Sequence, residues 1–245
     1  MSDPGAWSPA PAIRLDHVTL SRPGFRACFD LSLPVGAVMT VIGPSGAGKS
    51  TLLDLIAGFE KPTSGHILFE NQDMTQLGPE KRPVSMIFQD GNLFNHLDVE
   101  TNVGLAISPR LRFDAEMRER IHAALDRVGL AGFARRMPAT LSGGERQRAA
   151  LARTLVRDRP ILLLDEPFSA LGPGLRHEMV SLVNSLQAQT GISVMLVSHH
   201  PQDALRLGGM VCFVTEGHVA GSGMVKDFFT RRDVEGLQEY LGNQS

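Results

Sequence analysis

Hydrophobic and polar positions change rhythm several times along the chain. Between residues 13 and 42, the short β-like runs Ile13–Thr19, Cys28–Leu33 and Ala37–Ile42 are separated by turn signals at Pro23-Gly24 and Pro34-Val35-Gly36. Thr51–Ala57 has helical character and stops at Gly58, a residue suited to the left-handed conformation that closes a helix. His66–Glu70 returns to strand and ends in the polar turn Asn71-Gln72-Asp73. From Asp98 to Val156 the pattern turns helical, with strong apolar periodicity over Met117–Val128 and Arg146–Val156. After Pro160, Ile161–Leu164 is a continuous apolar run, the mark of a strand covered on both faces. A helix over Leu175–Gln189, a second such strand at Ser193–Val197, a helix from near Gln202 and a hairpin around Val211–Gly221 complete the pattern. Strands alternating with helices predict an α/β fold with a parallel sheet, and residues 98–156 read as a helical insertion into it.

Composition narrows the functional classes. The 245 residues are 42 % hydrophobic and 20 % charged, with 24 basic and 26 acidic side chains and a net charge of −2. That apolar content excludes a disordered chain. The absence of a positive excess disfavours a general nucleic-acid binder, so no nucleic-acid partner is expected. No apolar run approaches the roughly 18–20 residues that span a bilayer. Residues 1–12 are expected to be a flexible amino terminus, Pro/Ser/Ala-rich and without the basic start and apolar centre of a signal peptide. Cys28 and Cys212 lie in apolar stretches and are expected to be small buried hydrophobes rather than a disulfide pair. The expectation is a soluble cytosolic protein.

Three segments carry chemistry. Gly43-Pro44-Ser45-Gly46-Ala47-Gly48-Lys49-Ser50, followed by Thr51, matches G-x-x-x-x-G-K-[ST] between a strand and a helix. Glycines there let backbone N–H groups turn inward around a phosphate, and the helix start aims its positive end at the same anion. Lys49 is placed to neutralise β- and γ-phosphates, and the Ser50 hydroxyl to coordinate Mg²⁺. In the second segment, Asp165 and Glu166 end the buried run Ile161–Leu164, at the carboxyl edge where open α/β sheets bind ligands. Asp165 is the expected ligand to Mg²⁺ through water, and Glu166 the general base or orienter for the water that attacks the γ-phosphate. The third segment is Leu141-Ser142-Gly143-Gly144-Glu145-Arg146-Gln147-Arg148. Ser142 and Glu145 have the spacing of a capping box, but a cap does not require two glycines in a first turn that they weaken. Their use would be to admit a second anion, giving two nucleotide half-sites completed by a second protomer.

Together these motifs make the chain resemble the nucleotide-binding subunits of ATP-binding-cassette (ABC) transporters, from about Ile13 to Gly221. The resemblance implies a P-loop NTPase fold, with a RecA-like core, an antiparallel β subdomain and an inserted helical subdomain at about 91–156, all in one ATP-binding domain over 13–245. It also implies ATP with Mg²⁺, a homodimer, transmembrane permease partners with a periplasmic solute-binding protein behind them, and a peripheral position on the cytoplasmic face of the bacterial inner membrane. Gln89 in Phe88-Gln89-Asp90 matches the glutamine that touches Mg²⁺ and couples to the membrane partner. Ser142, Gly143 and Gly144 match the signature that covers the γ-phosphate across the dimer, and His199 matches the switch histidine. His200 matches nothing and is expected at the surface. Gly172 stands where the family usually has Asp, and Ser21–Phe25 offers no Tyr or Trp to stack on adenine, leaving the Arg22 guanidinium or Phe25, which is equally well read as plain core. Leu93, Phe94 and Leu97 are either an exposed docking patch or core.

A finer resemblance, to importer subunits of the bacterial thiamine system, rests on Ile56–Phe59, Arg82–Gln89, Asn92–Leu97, Glu166–Leu171 and Leu175–Met179. None of these residues would touch thiamine, so another small solute (iron, a polyamine, an anion) stays open. A soluble cassette ATPase of DNA repair or translation fits less well, because the chain has neither a long coiled-coil insertion nor a basic stripe. A purely regulatory nucleotide-binding module would lack the carboxylate that Glu166 supplies.

Overall fold

The computed structural model describes residues 10–89 and 93–242. The expectation of a flexible amino terminus therefore falls mostly outside the described residues, as does the 90–92 part of the Phe88–Leu97 segment. One ten-stranded sheet organises the chain, in the order β5-β4-β1-β2-β10-β9-β3-β8-β7-β6. Its antiparallel arm contains β1 (Ile13–Arg22), β2 (Phe25–Leu33), β4 (Ser64–Phe69) and the short β5 (Gln72–Asp73). The parallel part contains β3 (Val38–Ile42), β6 (Val84–Ile87), β7 (Ile161–Asp165), β8 (Ser193–Val197) and β9 (Met210–Thr215). Strand β10 (His218–Met224) joins the two, running antiparallel to β9 and touching β2 through the pair His218–Cys28.

Burial follows the patterning. Strands β3 and β8 are buried at every position, as continuous apolar runs between two covering layers require. Strand β2 alternates, with Ala27, Phe29, Leu31 and Leu33 inward and Arg26, Cys28, Asp30 and Ser32 outward. That alternation corrects one expectation: Cys28 is exposed, while Cys212 is fully buried on β9. An apolar neighbourhood in sequence placed Cys28 inside, but the period of two along a strand puts it on the opposite face from Ala27 and Phe29.

The helices fill three cores. Helix α1 (Lys49–Ala57) packs under the antiparallel arm with Phe29, Phe69 and the inner face of β1. Residues 98–156 fold as three separate helices, α2 (Val99–Gly104), α3 (Ala115–Arg127) and α4 (Gly143–Val156). Their apolar faces join α5 (Pro173–Thr190) and α6 (Pro201–Leu207) against the parallel sheet. Asp98 and Asp114 cap α2 and α3 by accepting from the N–H groups of Thr101 and Met117. The third core surrounds Ile42 and Phe213 and is closed by α7 (Val225–Phe228) and α8 (Leu237–Gly242), carboxyl-terminal elements that the periodicity did not predict.

Candidate functional site

The carboxyl edge of the parallel sheet gathers the phosphate loop and both carboxylates. Residues Gly43–Gly48 leave β3 and turn directly into α1, whose first residue is Lys49. Gly43, Gly46 and Gly48 all have positive φ, at 153°, 77° and 100°. At Gly43 an added Cβ would strike the Val214 carbonyl oxygen of β9, and at Gly48 it would lie 3.2 Å from the Phe25 ring. The loop is thus pressed against strands on one side, and side chains could not be accommodated at those turns.

Lys49 is buried, and its Nζ donates to the carbonyl oxygens of Gly43 and Pro44 at 2.9 and 2.7 Å. Burial lowers its pKa, while the nearby Glu166 and Asp165 carboxylates act to raise it. A partly desolvated ammonium in such a loop gains from an arriving polyanion. The Ser50 hydroxyl donates to Asp165 Oδ1 at 3.1 Å. Burial raises the Asp165 carboxyl, and the Ser50 hydrogen bond opposes that rise. A hydroxyl and a carboxylate converging at one edge are hard oxygen donors of the kind Mg²⁺ takes.

Glu166 adopts φ 43°, a left-handed conformation uncommon for a residue with a Cβ, and its N–H donates to the Val197 carbonyl across to β8. Two groups of Ser169 donate to the Glu166 carbonyl: its hydroxyl at 3.0 Å and its N–H at 3.2 Å. This kinked backbone turns the Glu166 carboxylate towards His199, whose Nδ1 lies 3.2 Å from Oε2. His200 is half-buried rather than on the open surface: its ring packs at a tilt against that of His199, with centroids 3.9 Å apart, and it occupies the N-cap position of α6 without a side-chain cap. Gly43, Pro44, Ser45, Lys49, Glu166 and His199 line a cavity of about 720 Å³, closed from the far side by Phe213, Thr215, Gly236, Glu239 and Tyr240. The α8 residues in that wall carry no motif, and only the tertiary packing of a short terminal helix brings them here.

The other predicted residues lie elsewhere. Gln89 follows β6 at the same sheet edge, with its side chain exposed and its carbonyl accepting from Gln147 Nε2 at 3.5 Å. Ser142, Gly143 and Gly144 start α4 and are not among the cavity's lining residues. The capping box is formed: Ser142 Oγ accepts from the Glu145 N–H, and Glu145 Oε2 accepts from the Ser142 N–H at 2.6 Å. Gly144 also has a packing reason, since a Cβ there would press on the Leu175 side chain at 2.7 Å. Gly172 is the uncapped N-cap of α5. Phe25 packs against Gly48 with the Arg22 guanidinium 4.9 Å above its ring, so both candidates for adenine stacking stand beside the loop as one pair.

A strand–loop–helix phosphate cradle, a carboxylate pair ending the buried strand β7, two places along the sheet from β3, and a histidine facing the second carboxylate define an ATPase cassette. Residues 28–169 match the family model described as ABC transporter, and the chain belongs to that family. It is 51 % identical to the thiamine import ATP-binding protein ThiQ of Mesorhizobium japonicum, over 94 % of this chain and 91 % of that protein. It is 50 % identical to ThiQ of Brucella suis, over 94 % and 95 %. Among solved structures, cbiO1 of Clostridium perfringens, part of the ABC transporter complex cbiONQ, superimposes with a TM-score of 0.83 at 28 % identity, covering 92 % of this chain and 93 % of that one. A dimeric ATP-binding cassette in a post-hydrolysis state bound to ADP and Pi gives 0.74 at 29 %, covering 87 % and 98 %.

Proposed function

We propose that this chain is the ATP-hydrolysing subunit of a thiamine importer, working as a homodimer beneath two transmembrane permease subunits. The observation that carries the hydrolytic reading is the convergence of Lys49, Glu166 and His199 on one cavity at the end of β3, β7 and β8. The solute is carried by the identity of about half the residues with ThiQ proteins along nearly the whole chain. The backbone N–H groups of Gly43–Ser50, with Thr51 behind them, wrap the β-phosphate, and Lys49 leaves its two loop carbonyls to bridge β- and γ-phosphates. Ser50 and Asp165 would hold Mg²⁺, with Gln89, at the end of β6, as a further candidate ligand. When bound, that ion neutralises charge developing on the phosphate oxygens. Glu166 accepts a proton from the attacking water, and His199, held against Glu166, donates towards the γ-phosphate.

Ser142, Gly143 and Gly144 present the start of α4 to the nucleotide of the second protomer, which explains why they stand apart from the cavity of their own chain. Residues 13–245 act as one ATP-binding domain with a helical block at about 91–156, and residues 89–135 form the region that meets the permease. A groove of about 380 Å³ lined by Ser85, Met86, Phe94, Leu105, Pro109 and Arg157, among others, offers the docking surface. Phe94 is 49 % exposed there, while Leu93 leans back on the helical core. No helix among the described residues is long and apolar enough to cross a membrane. In this reading, which the likeness to ThiQ proteins supports, the permeases supply the path, a periplasmic solute-binding protein the selectivity, and the chain works at the cytoplasmic face of the bacterial inner membrane.

The test is reconstitution of the chain with its permease and solute-binding protein in proteoliposomes, with hydrolysis measured against a panel of solutes. Thiamine should stimulate ATP turnover and Lys49→Ala should abolish it. Stimulation by iron, a polyamine or an anion instead would reject the solute and leave the ATPase reading intact.

A further inference from the structure

Tyr240 is the chain's single tyrosine and sits in the last described helix, beyond every nucleotide-binding motif. It is buried, and its phenol reaches back into the cavity that holds the phosphate loop. Its hydroxyl donates to the His199 carbonyl oxygen at 2.7 Å. Its ring packs on Phe213, centroids 5.4 Å apart, and Phe213 pairs in register with Ile42, the last residue before the loop. Burial pushes the phenol up to about 12, while a hydrogen bond from the Gly43 backbone acts to lower it, so the neutral, donating form persists at physiological pH.

His199 needs such an anchor. It follows β8, whose last ladder contact on this side is the Ser198 N–H donating to Val41 O at 3.0 Å. Beyond that point the chain turns into α6, and the flanking residues are tied to its first turn. The His200 N–H donates to Ser198 Oγ at 3.0 Å and the Asp203 N–H to the His200 carbonyl at 3.0 Å, while the carbonyl of His199 itself is held by Tyr240. The imidazole must stay 3.2 Å from Glu166. We propose that Tyr240 is a positioning residue for hydrolysis: α8 uses its hydroxyl to hold the His199 backbone so that the imidazole faces Glu166 and the phosphate loop. This rests on the reading of the chain as an ATPase with His199 at the γ-phosphate. Tyr240 touches neither reacting atom in that arrangement and acts through His199.

The experiment compares full-length wild type, Tyr240→Phe, His199→Ala and the double variant. The ring of Tyr240→Phe still packs on Phe213, so the variant separates the hydroxyl from the packing. Losing one hydrogen bond that orients a reacting group should lower kcat about 3- to 10-fold, with the KM for ATP and the thermal midpoint nearly unchanged. In the His199→Ala background the same substitution should have no further effect on kcat. Backbone amide exchange over residues 198–200 should also be faster in Tyr240→Phe. A kcat equal to wild type, or the same fold-loss with and without His199, would overturn the positioning role. If the wild type itself fails to hydrolyse ATP, the ATPase reading has failed instead, and the exchange measurement alone decides whether Tyr240 holds the His199 backbone.

Discussion

Arg82 gives the sharpest quantitative test of how the phosphate-loop helix is held. Its side chain is fully buried, yet it faces no carboxylate within ion-pair distance among the described residues. Its guanidinium instead donates to four backbone carbonyls: Leu55 at 2.6 Å, Ile56 at 2.8 Å, Leu77 at 3.0 Å and Thr75 at 3.1 Å. Leu55 and Ile56 lie in the last turn of α1, where carbonyls have no partner within the helix. The cation thus caps the helix that starts at Lys49 and ties it to the segment leading into β6. Burial pulls the guanidinium down to about 10, still fully charged at neutral pH.

Replacing Arg82 with Met keeps most of the volume and removes all four donors. Each stranded carbonyl costs about 1–3 kcal/mol if dry. Water entry and relief of the buried charge return part of that, leaving a net loss of about 3–5 kcal/mol, the usual scale for breaking a buried charged network. Urea unfolding followed by circular dichroism would read this as a lower midpoint at unchanged slope. Lys at this position should recover little, because an ammonium cannot match a fork that reaches carbonyls on two segments. A loss below about 1 kcal/mol for Arg82→Met would refute the assignment, since surface substitutions already reach that range.

Lys49→Ala should abolish ATP binding in a fluorescent-nucleotide titration, and unchanged affinity would count against the cradle. Iodoacetamide should label the native protein once, at Cys28, because Cys212 is fully buried with its thiol pushed up to about 12; labelling that survives Cys28→Ala would contradict this. Thr75 and His66 hold the Asp73 carboxyl down at about 2, below its ordinary 3.8. A depressed carboxyl stabilises above its unfolded pKa and loses that contribution as pH falls through the folded one. The stability gap between wild type and Asp73→Asn should therefore be flat above about pH 5 and shrink between about pH 4 and 2, and a gap constant throughout would be inconsistent with it. Gly172→Asp fits without a clash and adds an N-cap acceptor to α5, so it should raise stability by a few tenths of a kcal/mol and leave or raise ATP turnover. A fall in turnover would show that the loop has adapted to glycine.

Local sequence signals carried much of this architecture. The buried strands β7 and β8 and the stop of α1 at Gly58, whose φ is 85° with its N–H on Asp54 O, follow directly from apolar runs and turn chemistry. What stayed hidden depends on contacts distant in sequence. Strand β6 is four residues long, includes a serine and makes sense only beside β7. The outward face of Cys28 depends on strand register. The wall formed by α8 comes from a helix of six residues whose packing on Phe213 no local pattern announces. Gly144 shows two demands at one position: the predicted approach of an anion and the contact with Leu175 both call for a residue without a side chain.

The central claim is that Glu166 drives ATP hydrolysis in a motor that two copies of this chain complete. It is tested most directly by measuring steady-state turnover and solution mass for wild type and Glu166→Gln with Mg²⁺ and ATP. The variant should bind ATP, lose turnover by about 10²–10⁴-fold and accumulate as an ATP-bound dimer. A Glu166→Gln protein that hydrolyses ATP at the wild-type rate, or stays monomeric with ATP bound, would contradict it.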